Sequence, residues 1–349
     1  MRQILVHCGL HKTATTTIQI ALAEQFDRLR SLGFLYPLAG RIDELSGHHN
    51  IAWQIARDRR FNRENGDLDA LFKEIQAFDG HVLVSTEDFE NSVSRIKRFL
   101  PLLQRARSIG RSVTFIVYIR SQVSYLESLY QEMLKYGFGD EYAEFADAAL
   151  AHGSLRLKEW QFQFNYWNLA TSLMQLPDCK IVFRSYERML EESPILDFYN
   201  TAGIPLSALP PSLHSRANVR YPSKVSLTQF YGNRVERDLD SHETAVIDQL
   251  FGLFTEPIAT TAALRRELEQ RFAYSNKRVC DYFGIPSAGL VPEGDVSASA
   301  PIRISMQKMF SFETQNAIRD IALMRARNQA DAARALAQQC VDAWRDSGR

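Results

Sequence analysis

Short apolar runs alternate with helix-like patterns along this chain, and that alternation restricts the fold more than any other feature. The runs typical of buried strands are 3–8, 81–85, 113–119 and 180–183, with 34–36 as a weaker candidate. Helical patterns lie between them, for example at 68–78 and 154–174. Strands separated by helices pair in parallel and need cover on both faces. The sequence therefore predicts an α/β fold in three layers, with a central parallel sheet flanked by helices.

The first predicted strand leads into a loop that has the makings of an anion site. Gly9 begins the loop, Lys12 and Thr13 follow, and Thr15 and Thr16 open a helix. The apolar stripe of that helix is Ile18, Leu22, Phe26 and Leu29. Backbone N–H groups and the positive end of the helix dipole would point at one spot, where a lysine adds charge. The loop predicts a bound phosphate or sulfate group, and a threonine-rich helix cap is the simpler alternative.

The spacing of this loop differs from that of the nucleotide-triphosphate P-loop. That motif has glycine immediately before the lysine and again five residues earlier. The corresponding residues here are His11 and Val6. A P-loop kinase or NTPase, with Glu87 or Asp88 as the acid beside a metal, stays open as an alternative despite this mismatch.

A second group of anion-binding residues follows the strand at 113–119. Arg120 ends that strand, and serines at 121, 124 and 128 share one face of the helix that comes next. A guanidinium beside aligned hydroxyls suits a phosphate monoester. The alternative is an ordinary serine-capped helix with a surface arginine.

The segment Gly-Leu-His-Lys-Thr-Ala-Thr-Thr at 9–16 resembles the 5′-phosphosulfate loop of sulfotransferases that use 3′-phosphoadenosine 5′-phosphosulfate (PAPS). The resemblance covers roughly 1–285 and is most specific at 7–17, 118–128 and 180–189. It implies a P-loop-type fold and a donor-binding loop made of Gly9, His11, Lys12, Thr13, Ala14, Thr15 and Thr16. The family usually has glycine where this chain has Ala14, so we expect the backbone at Ala14 not to adopt a positive φ.

The same resemblance implies the rest of the nucleotide site. The family's 3′-phosphate site has an arginine at a strand end and a serine eight positions later, which Arg120 and Ser128 match. Tyr186 falls where the family places a tyrosine against adenine, although a half-buried tyrosine at a strand end is nearly as good an interpretation. The family's C-terminal Arg-Lys-Gly motif is absent. Arg216 and Arg220, in the acid-free stretch 198–235, are its candidate substitutes.

Three residues compete for the role of general base. Glu87 follows the strand at 81–85, where the family carries a histidine or glutamate base, but it could equally cap the next helix. His48 and His49 form a pair that could deprotonate a hydroxyl near neutral pH, or bind substrate, or lie on the surface. No third ligand stands at metal spacing from them, so the sequence predicts no metal site.

The function implied by the resemblance is transfer of a sulfuryl group from PAPS to a hydroxyl, with PAP as product and no metal required. Residues 271–284 also resemble the end of bacterial sulfotransferase-like proteins associated with surface glycans, which favours a carbohydrate acceptor. The non-enzymatic alternative is a nucleotide-binding scaffold that has lost turnover.

Composition excludes several other classes of function. The chain has 349 residues, with 41 basic and 41 acidic residues and no net charge, which argues against nucleic acid or an anionic membrane as partner. No apolar stretch reaches spanning length and the chain begins with a predicted strand, so we expect no signal peptide and a cytoplasmic location. The scattered cysteines are predicted to be reduced thiols. The basic residues of 95–107 are predicted to lie on a solvated helix face and not in a site.

The predicted domain organisation is linear. Residues 1–285 form the α/β domain, the Gly-, Pro- and Ser-containing stretch 286–304 is a linker, and 305–349 is a C-terminal helical extension. The extension is predicted from an apolar stripe made of Ala333, Leu336, Ala337, Cys340, Val341 and Trp344.

Overall fold

The structure is a computed structural model that describes residues 2–42, 46–138, 142–209 and 260–286, together with Leu290 and scattered positions from 320 to 339. Arg216 and Arg220 lie outside the described residues, as do most of the predicted linker and most of the predicted C-terminal helix. The predicted division at 285 and 304 therefore stays a prediction.

The chain divides into two compact units. The first comprises residues 1–122, 149–219 and 269–294, and the second comprises 123–148, 220–268 and 295–349. The predicted loop residues, Glu87, the histidine pair, Arg120 and Tyr186 all belong to the first unit, and Ser128 belongs to the second.

The described strands form one parallel sheet and one hairpin. The strands are β1 (Gln3–His7), β2 (Phe34–Leu35), β3 (His81–Ser85), β4 (Ser112–Ile119), β5 (Ser154–Leu157), β6 (Trp160–Gln163) and β7 (Cys179–Ser185). The parallel sheet has the order β2-β3-β1-β4-β7, and β5 pairs with β6 in antiparallel fashion. The predicted central parallel sheet is confirmed, with strand positions within two residues of those expected.

Helices occupy the connections between the strands. They are α1 (Thr15–Glu24), α2 (Phe26–Ser31), α3 (His49–Ala56), α4 (Leu68–Gln76), α5 (Leu100–Ser108), α6 (Gln122–Lys135), α7 (Tyr142–His152), α8 (Tyr166–Leu173), α9 (Tyr186–Glu192), α10 (Pro194–Ala202) and α11 (Ala262–Phe283). Short 3-10 segments lie at Arg63–Asn65, Glu87–Phe99 and Leu206–Ala208. The stripe from Ile18 to Leu29 was expected to be one helix, but Gln25 separates α1 from α2.

Both faces of the sheet are covered, as its apolar strands require. Ile116 of β4 packs into a buried cluster with Ile18 of α1 and Phe198 of α10. The preceding residue, Phe115, points to the opposite face, where its ring lies edge-on to Phe99 at 5.5 Å between centroids. Successive side chains of a strand alternate between faces, so a strand apolar throughout buries both sides. The flanked sheet thus follows directly from the sequence.

The helix predicted over 154–174 is wrong in its first half. Residues 154–163 form the β5–β6 hairpin, and only Tyr166–Leu173 is helical. Lys158 turns the hairpin with φ of 50°, a left-handed conformation that an isolated helical pattern does not suggest. Leu155 and Phe162 face each other and are buried, and the residues on either side of Leu155 are more exposed, which is the two-residue period of a strand. Aromatic side chains fit both periods, and here the strand period prevails.

The second unit has an aromatic core of its own. Tyr130 of α6 contacts Phe138, Tyr142 and Phe145, with ring centroids 5.1 to 6.2 Å apart. The amide of Thr260 donates to the Glu127 carboxylate at 2.8 Å. None of the helices in the described ranges combines the length and apolar character that a membrane crossing requires.

Candidate active site

The first loop and Arg120 lie where an open parallel sheet offers a binding crevice. β1 and β4 are neighbours, but the chain leaves β1 towards β2 on one side and leaves β4 towards β7 on the other. Ligands bind in α/β folds at such a reversal, beyond the carboxyl ends of the strands. Residues 8–14 follow β1 and Arg120 follows β4, so both anion-binding candidates emerge at this point.

The loop after β1 is held in an unusual backbone conformation. Lys12 and Ala14 adopt positive φ angles of 64° and 59°. The expectation that Ala14 would avoid positive φ is therefore wrong. The amide of Leu10 donates to the Tyr118 carbonyl at 3.1 Å and the Thr13 hydroxyl donates to the Leu10 carbonyl at 2.6 Å, and these bonds fix the turn. Tertiary contacts thus outweigh a local cost of roughly 1–2 kcal/mol for a left-handed alanine.

Gly9 is required in this loop because its neighbours leave no room for a side chain. A Cβ at Gly9 would lie 2.5 Å from the Thr15 methyl carbon, 2.7 Å from the Thr13 hydroxyl and 3.2 Å from His7 Nε2. The loop therefore closes tightly over the end of β1. The sequence predicted that Gly9 belongs to the site, and the close approach of these side chains is the physical reason why glycine is needed there.

Helix α1 begins immediately behind the loop without a side-chain cap. Ala14 is the residue before the helix, and its side chain makes no capping hydrogen bond with the first turn. The first N–H groups of a helix have no partner within the helix. In α1 they belong to Thr15 and the residues after it, and the helix dipole adds positive potential at the same end. This geometry suits an anion seated in the loop.

Arg120 connects the loop with the end of β7. Its Nη1 donates to the Lys12 carbonyl at 2.8 Å, and its guanidinium carbon lies 4.6 Å from the centre of the Tyr186 ring. The Tyr166 hydroxyl donates to the Arg120 carbonyl and anchors the backbone at this position. Three residues singled out separately from the sequence thus meet at the ends of β1, β4 and β7.

The remaining candidates for the nucleotide site are Ser128, Arg216 and Arg220. Ser128 is buried on α6 in the second unit. Arg216 and Arg220 lie outside the described residues, so pairing of any of the three with Arg120 stays a prediction.

A buried cluster of acids and histidines follows β3. Asp88 is its centre: His49 Nδ1 and Trp53 Nε1 each contact Asp88 Oδ2 at 2.8 Å, and Asn91 donates to Oδ1 at 3.1 Å. Burial works against a charge on Asp88, but hydrogen bonds from His11 and His49 hold its pKa far below the usual range. Asp88 is therefore a carboxylate that orients neighbouring side chains. The sequence assigned it no role except in the metal-dependent alternative.

His11 belongs to this cluster through Glu90. The His11 amide and ring Nδ1 both contact Glu90 Oε2, at 3.1 and 2.8 Å, and Nε2 lies 3.7 Å from Asp88 Oδ1. Burial opposes protonation of His11, but the bonds with Asp88 and Glu90 outweigh it and raise the pKa of the imidazole to about 10. His11 is therefore protonated, and the Asp88 and Glu90 carboxylates compensate its charge. Glu90 had no sequence signal beyond its place in an acidic run.

Glu87 lies at the start of the 3-10 segment and is held by α1. Gln19 Nε2 donates to Glu87 Oε2 at 3.0 Å. Burial disfavours its charge, but the positive fields of His49 and His11 outweigh burial and lower the pKa of the carboxyl. Glu87 stands in the first turn of this segment, as its alternative role at a helix start requires, and the residue before it, Thr86, supplies a capping hydrogen bond through its hydroxyl, which accepts from the Asp88 amide at 3.1 Å.

The two adjacent histidines have different environments. His48 is fully buried, its Nδ1 accepts from the Ser85 amide at 3.1 Å, and its Nε2 lies 3.0 Å from the Pro37 carbonyl. Burial and the nearby Arg41 lower the pKa of His48 to about 3, so it stays neutral and joins two segments of backbone. Burial also disfavours protonation of His49, but Glu87 and Asp88 outweigh it and raise the pKa of His49. The pair is thus buried, and the interpretation of both as surface residues is wrong.

Neither known families nor curated proteins identify the chain. No protein-family model matches the sequence, and no curated protein matches it. In the part of the chain that the structure describes, no group of three or more histidine, cysteine, aspartate or glutamate side chains is arranged to hold a metal ion.

Proposed function

We propose that this protein is a PAPS-dependent sulfotransferase of P-loop-type fold, with a C-terminal helical extension, acting on a hydroxyl of a carbohydrate. The observation that carries the proposal is the meeting of Arg120 with the Lys12 carbonyl and the Tyr186 ring at the end of the sheet. Each of these residues was assigned to a different part of one nucleotide from sequence motifs more than sixty positions apart.

The loop supports donor binding by geometry and charge. The amides of Thr13, Thr15 and Thr16 are proposed to hold the 5′-phosphate, and Lys12 to neutralise the oxygen that bridges phosphate and sulfate. The Thr13 hydroxyl already bonds to Leu10, so Thr13 contributes its backbone amide. Arg120 is proposed to bind the 3′-phosphate and Tyr186 to contact adenine.

Sulfuryl transfer needs little covalent help from the protein. The acceptor oxygen forms a new bond to sulfur while the bond from sulfur to the bridging oxygen breaks, PAP leaves, and the acceptor proton passes to a base. Positioning and charge stabilisation supply most of the rate in the related transfer of phosphoryl groups. The Lys12 side chain is proposed to favour this build-up of charge, while both ring nitrogens of His11 face the Asp88 and Glu90 carboxylates.

We assign the proton acceptor as Glu87. Its lowered pKa keeps it ionised at neutral pH, so it can accept a proton. His49 is the weaker candidate, because its Nδ1 is engaged by Asp88 Oδ2 at 2.8 Å. His48 has both ring nitrogens engaged with backbone and is not proposed as a base.

Calorimetry with EDTA present tests the donor site directly. PAP should bind without metal, and AMP should bind clearly more weakly because it lacks the 3′-phosphate. Transfer of labelled sulfate from PAPS to a panel of saccharides then separates an enzyme from a scaffold that binds the nucleotide without turnover. Tighter binding of ATP than of PAP, with a requirement for Mg²⁺, would instead support the kinase or NTPase alternative.

A further inference from the structure

A cleft in the first unit is lined mainly by cationic side chains, although the whole chain carries no net charge. Its volume is about 470 Å³. The cationic side chains of its lining are Arg57, Arg59, Arg95, Arg98, Arg156 and Lys158. Among the residues that the structure describes, the carboxylates of the lining are Asp58 and Glu159. This volume lies within the range of about 300–1,000 Å³ that is usual for small-molecule sites.

Three walls each supply two of these cations, and hydrogen bonds hold the walls together. The walls are the turn after α3, the 3-10 segment Glu87–Phe99 and the β5–β6 hairpin. Arg98 donates to the Ala56 carbonyl, which joins the first two walls. The Gln161 amide donates to Asn91 Oδ1 at 2.8 Å and the Ser94 hydroxyl donates to Gln161 Oε1 at 2.6 Å, which join the second and third. The arrangement is therefore a built concavity and not a chance grouping of surface side chains.

The carboxylates of the lining leave a surplus of positive charge. Asp58 is engaged by Arg60, at 2.8 Å, and Glu159 lies 3.7 Å from Arg59. Burial and the positive charges of Arg95 and Arg57 lower the pKa of Arg98, as expected where guanidinium groups crowd one another. Such crowding is relieved by a ligand that brings several negative charges.

The cleft shares a wall with the candidate active site. The segment that begins at Glu87 continues into the cleft, and Asn91 bonds both to Asp88, at 3.1 Å, and to the hairpin amide. All of the described lining residues except Ala56 carry polar side chains, and among these described residues there is no aromatic side chain on which a nucleotide base could stack. Guanidinium groups bind carboxylate or sulfate in bidentate fashion, and neutral side chains such as Ser94 suit sugar hydroxyls.

We infer that this cleft binds the anionic part of the acceptor, which is a saccharide bearing carboxylate or sulfate groups. The role of this saccharide as acceptor rests on the proposed function, whereas its binding as an anionic saccharide rests on the cleft alone. The inference adds a role to Arg95 and Arg98, which the sequence predicted to lie on a solvated helix face; Arg95 is indeed exposed.

Binding of a short oligogalacturonate, compared with the same oligosaccharide after reduction of its carboxyl groups, tests the inference. The full chain should bind the charged probe and not the neutral one, more weakly as salt rises. The double variant Arg95→Gln/Arg156→Gln should bind it at least about tenfold more weakly. The matched control Lys73→Gln/Lys97→Gln removes two exposed charges outside the cleft lining and should bind within about twofold of the unchanged protein.

The outcomes separate this inference from the proposed function. Affinity for PAP should be unchanged in both double variants, because the cleft residues are not those assigned to the nucleotide. Equal binding of charged and neutral probes, no binding of either, or full affinity in the Arg95/Arg156 variant would overturn the inference. Failure of PAP to bind the unchanged protein would overturn the proposed function instead, whatever the saccharide result.

Discussion

The guanidinium of Arg120 donates to the main-chain carbonyl of Lys12 at 2.8 Å, although 108 positions separate the two residues. The bond joins the end of β4 to the loop after β1, across the crevice between neighbouring strands. The guanidinium carbon of the same side chain lies over the Tyr186 ring, 4.6 Å from its centre. Loss of the Arg120 side chain should therefore affect both the loop and the nucleotide site.

Arg120→Ala should raise the KM for PAPS by about 10–100-fold and lower kcat much less, because the 3′-phosphate is remote from the reacting sulfur. Arg120→Lys keeps the charge but loses the planar guanidinium over Tyr186. Its KM for PAPS should therefore lie between those of the unchanged protein and Arg120→Ala. Steady-state kinetics with varied PAPS, and calorimetry with PAP and AMP, provide the measurement. Equal loss of PAP and AMP affinity in Arg120→Ala would remove the 3′-phosphate assignment.

Lys12→Ala should lower kcat by about a hundredfold to a thousandfold, because its charge is needed most when the leaving oxygen becomes negative. Lys12→Arg serves as the charge-preserving control and should retain more of the turnover. Affinity for PAP should change far less than kcat. Near-normal turnover in Lys12→Ala would mean that another cation stabilises the leaving group.

Glu87→Gln should lower turnover by about a hundredfold or more while folding and PAP affinity survive, because the change preserves shape and removes the proton acceptor. His49→Gln, measured in parallel, should reduce turnover less. His48→Gln should instead lower the melting temperature, because it disturbs the backbone contacts at Ser85 and Pro37. If turnover follows His49 and ignores Glu87, the base is His49 and our assignment is wrong.

Ala14→Gly should stabilise the protein by up to about 1 kcal/mol, because glycine removes the cost of a left-handed alanine. The greater freedom of glycine in the unfolded chain opposes this gain but offsets only part of it. Ala23→Gly, in ordinary helical backbone of α1, is the matched control and should destabilise by about 1 kcal/mol. Denaturant unfolding of both variants provides the comparison. Destabilisation of both by the same amount would show that the left-handed conformation carries no cost here.

The contacts of His11 with Asp88 and Glu90 should make the free energy of unfolding fall at alkaline pH. The folded pKa of His11, about 10, lies above the ordinary 6.5, so its contribution is fully present below pH 6.5 and is lost as pH rises through about 10. His11→Gln should therefore be markedly less stable than the unchanged protein at pH 6.5, with the gap narrowing towards pH 10. Free energies of unfolding measured across this range provide the test, and a gap independent of pH would mean that His11 is neutral in the folded protein.

The sequence by itself determined the parallel sheet, the position of the loop and the residues at the strand ends. Those features depend on local periodicity and on the rule that parallel strands present their carboxyl ends together. Arg120 and Tyr186 could be predicted as neighbours of the loop because each directly follows a strand of that sheet.

Only the tertiary structure decided which side chains bind each other across long separations. Glu90 contacts His11, which lies 79 positions away in the sequence, and Asp88 contacts His49, Trp53 and Asn91. None of these contacts follows from a periodic pattern of residues in the sequence. The left-handed Ala14 runs against local preference, because packing and hydrogen bonds formed elsewhere outweigh its cost of roughly 1–2 kcal/mol. The β5–β6 hairpin forms from residues that fit both a helix and a strand, so tertiary contacts decided between them. The same reason brings Arg95, Arg98 and Arg156 around one cleft, since charged residues carry no pattern that reveals which wall they will face.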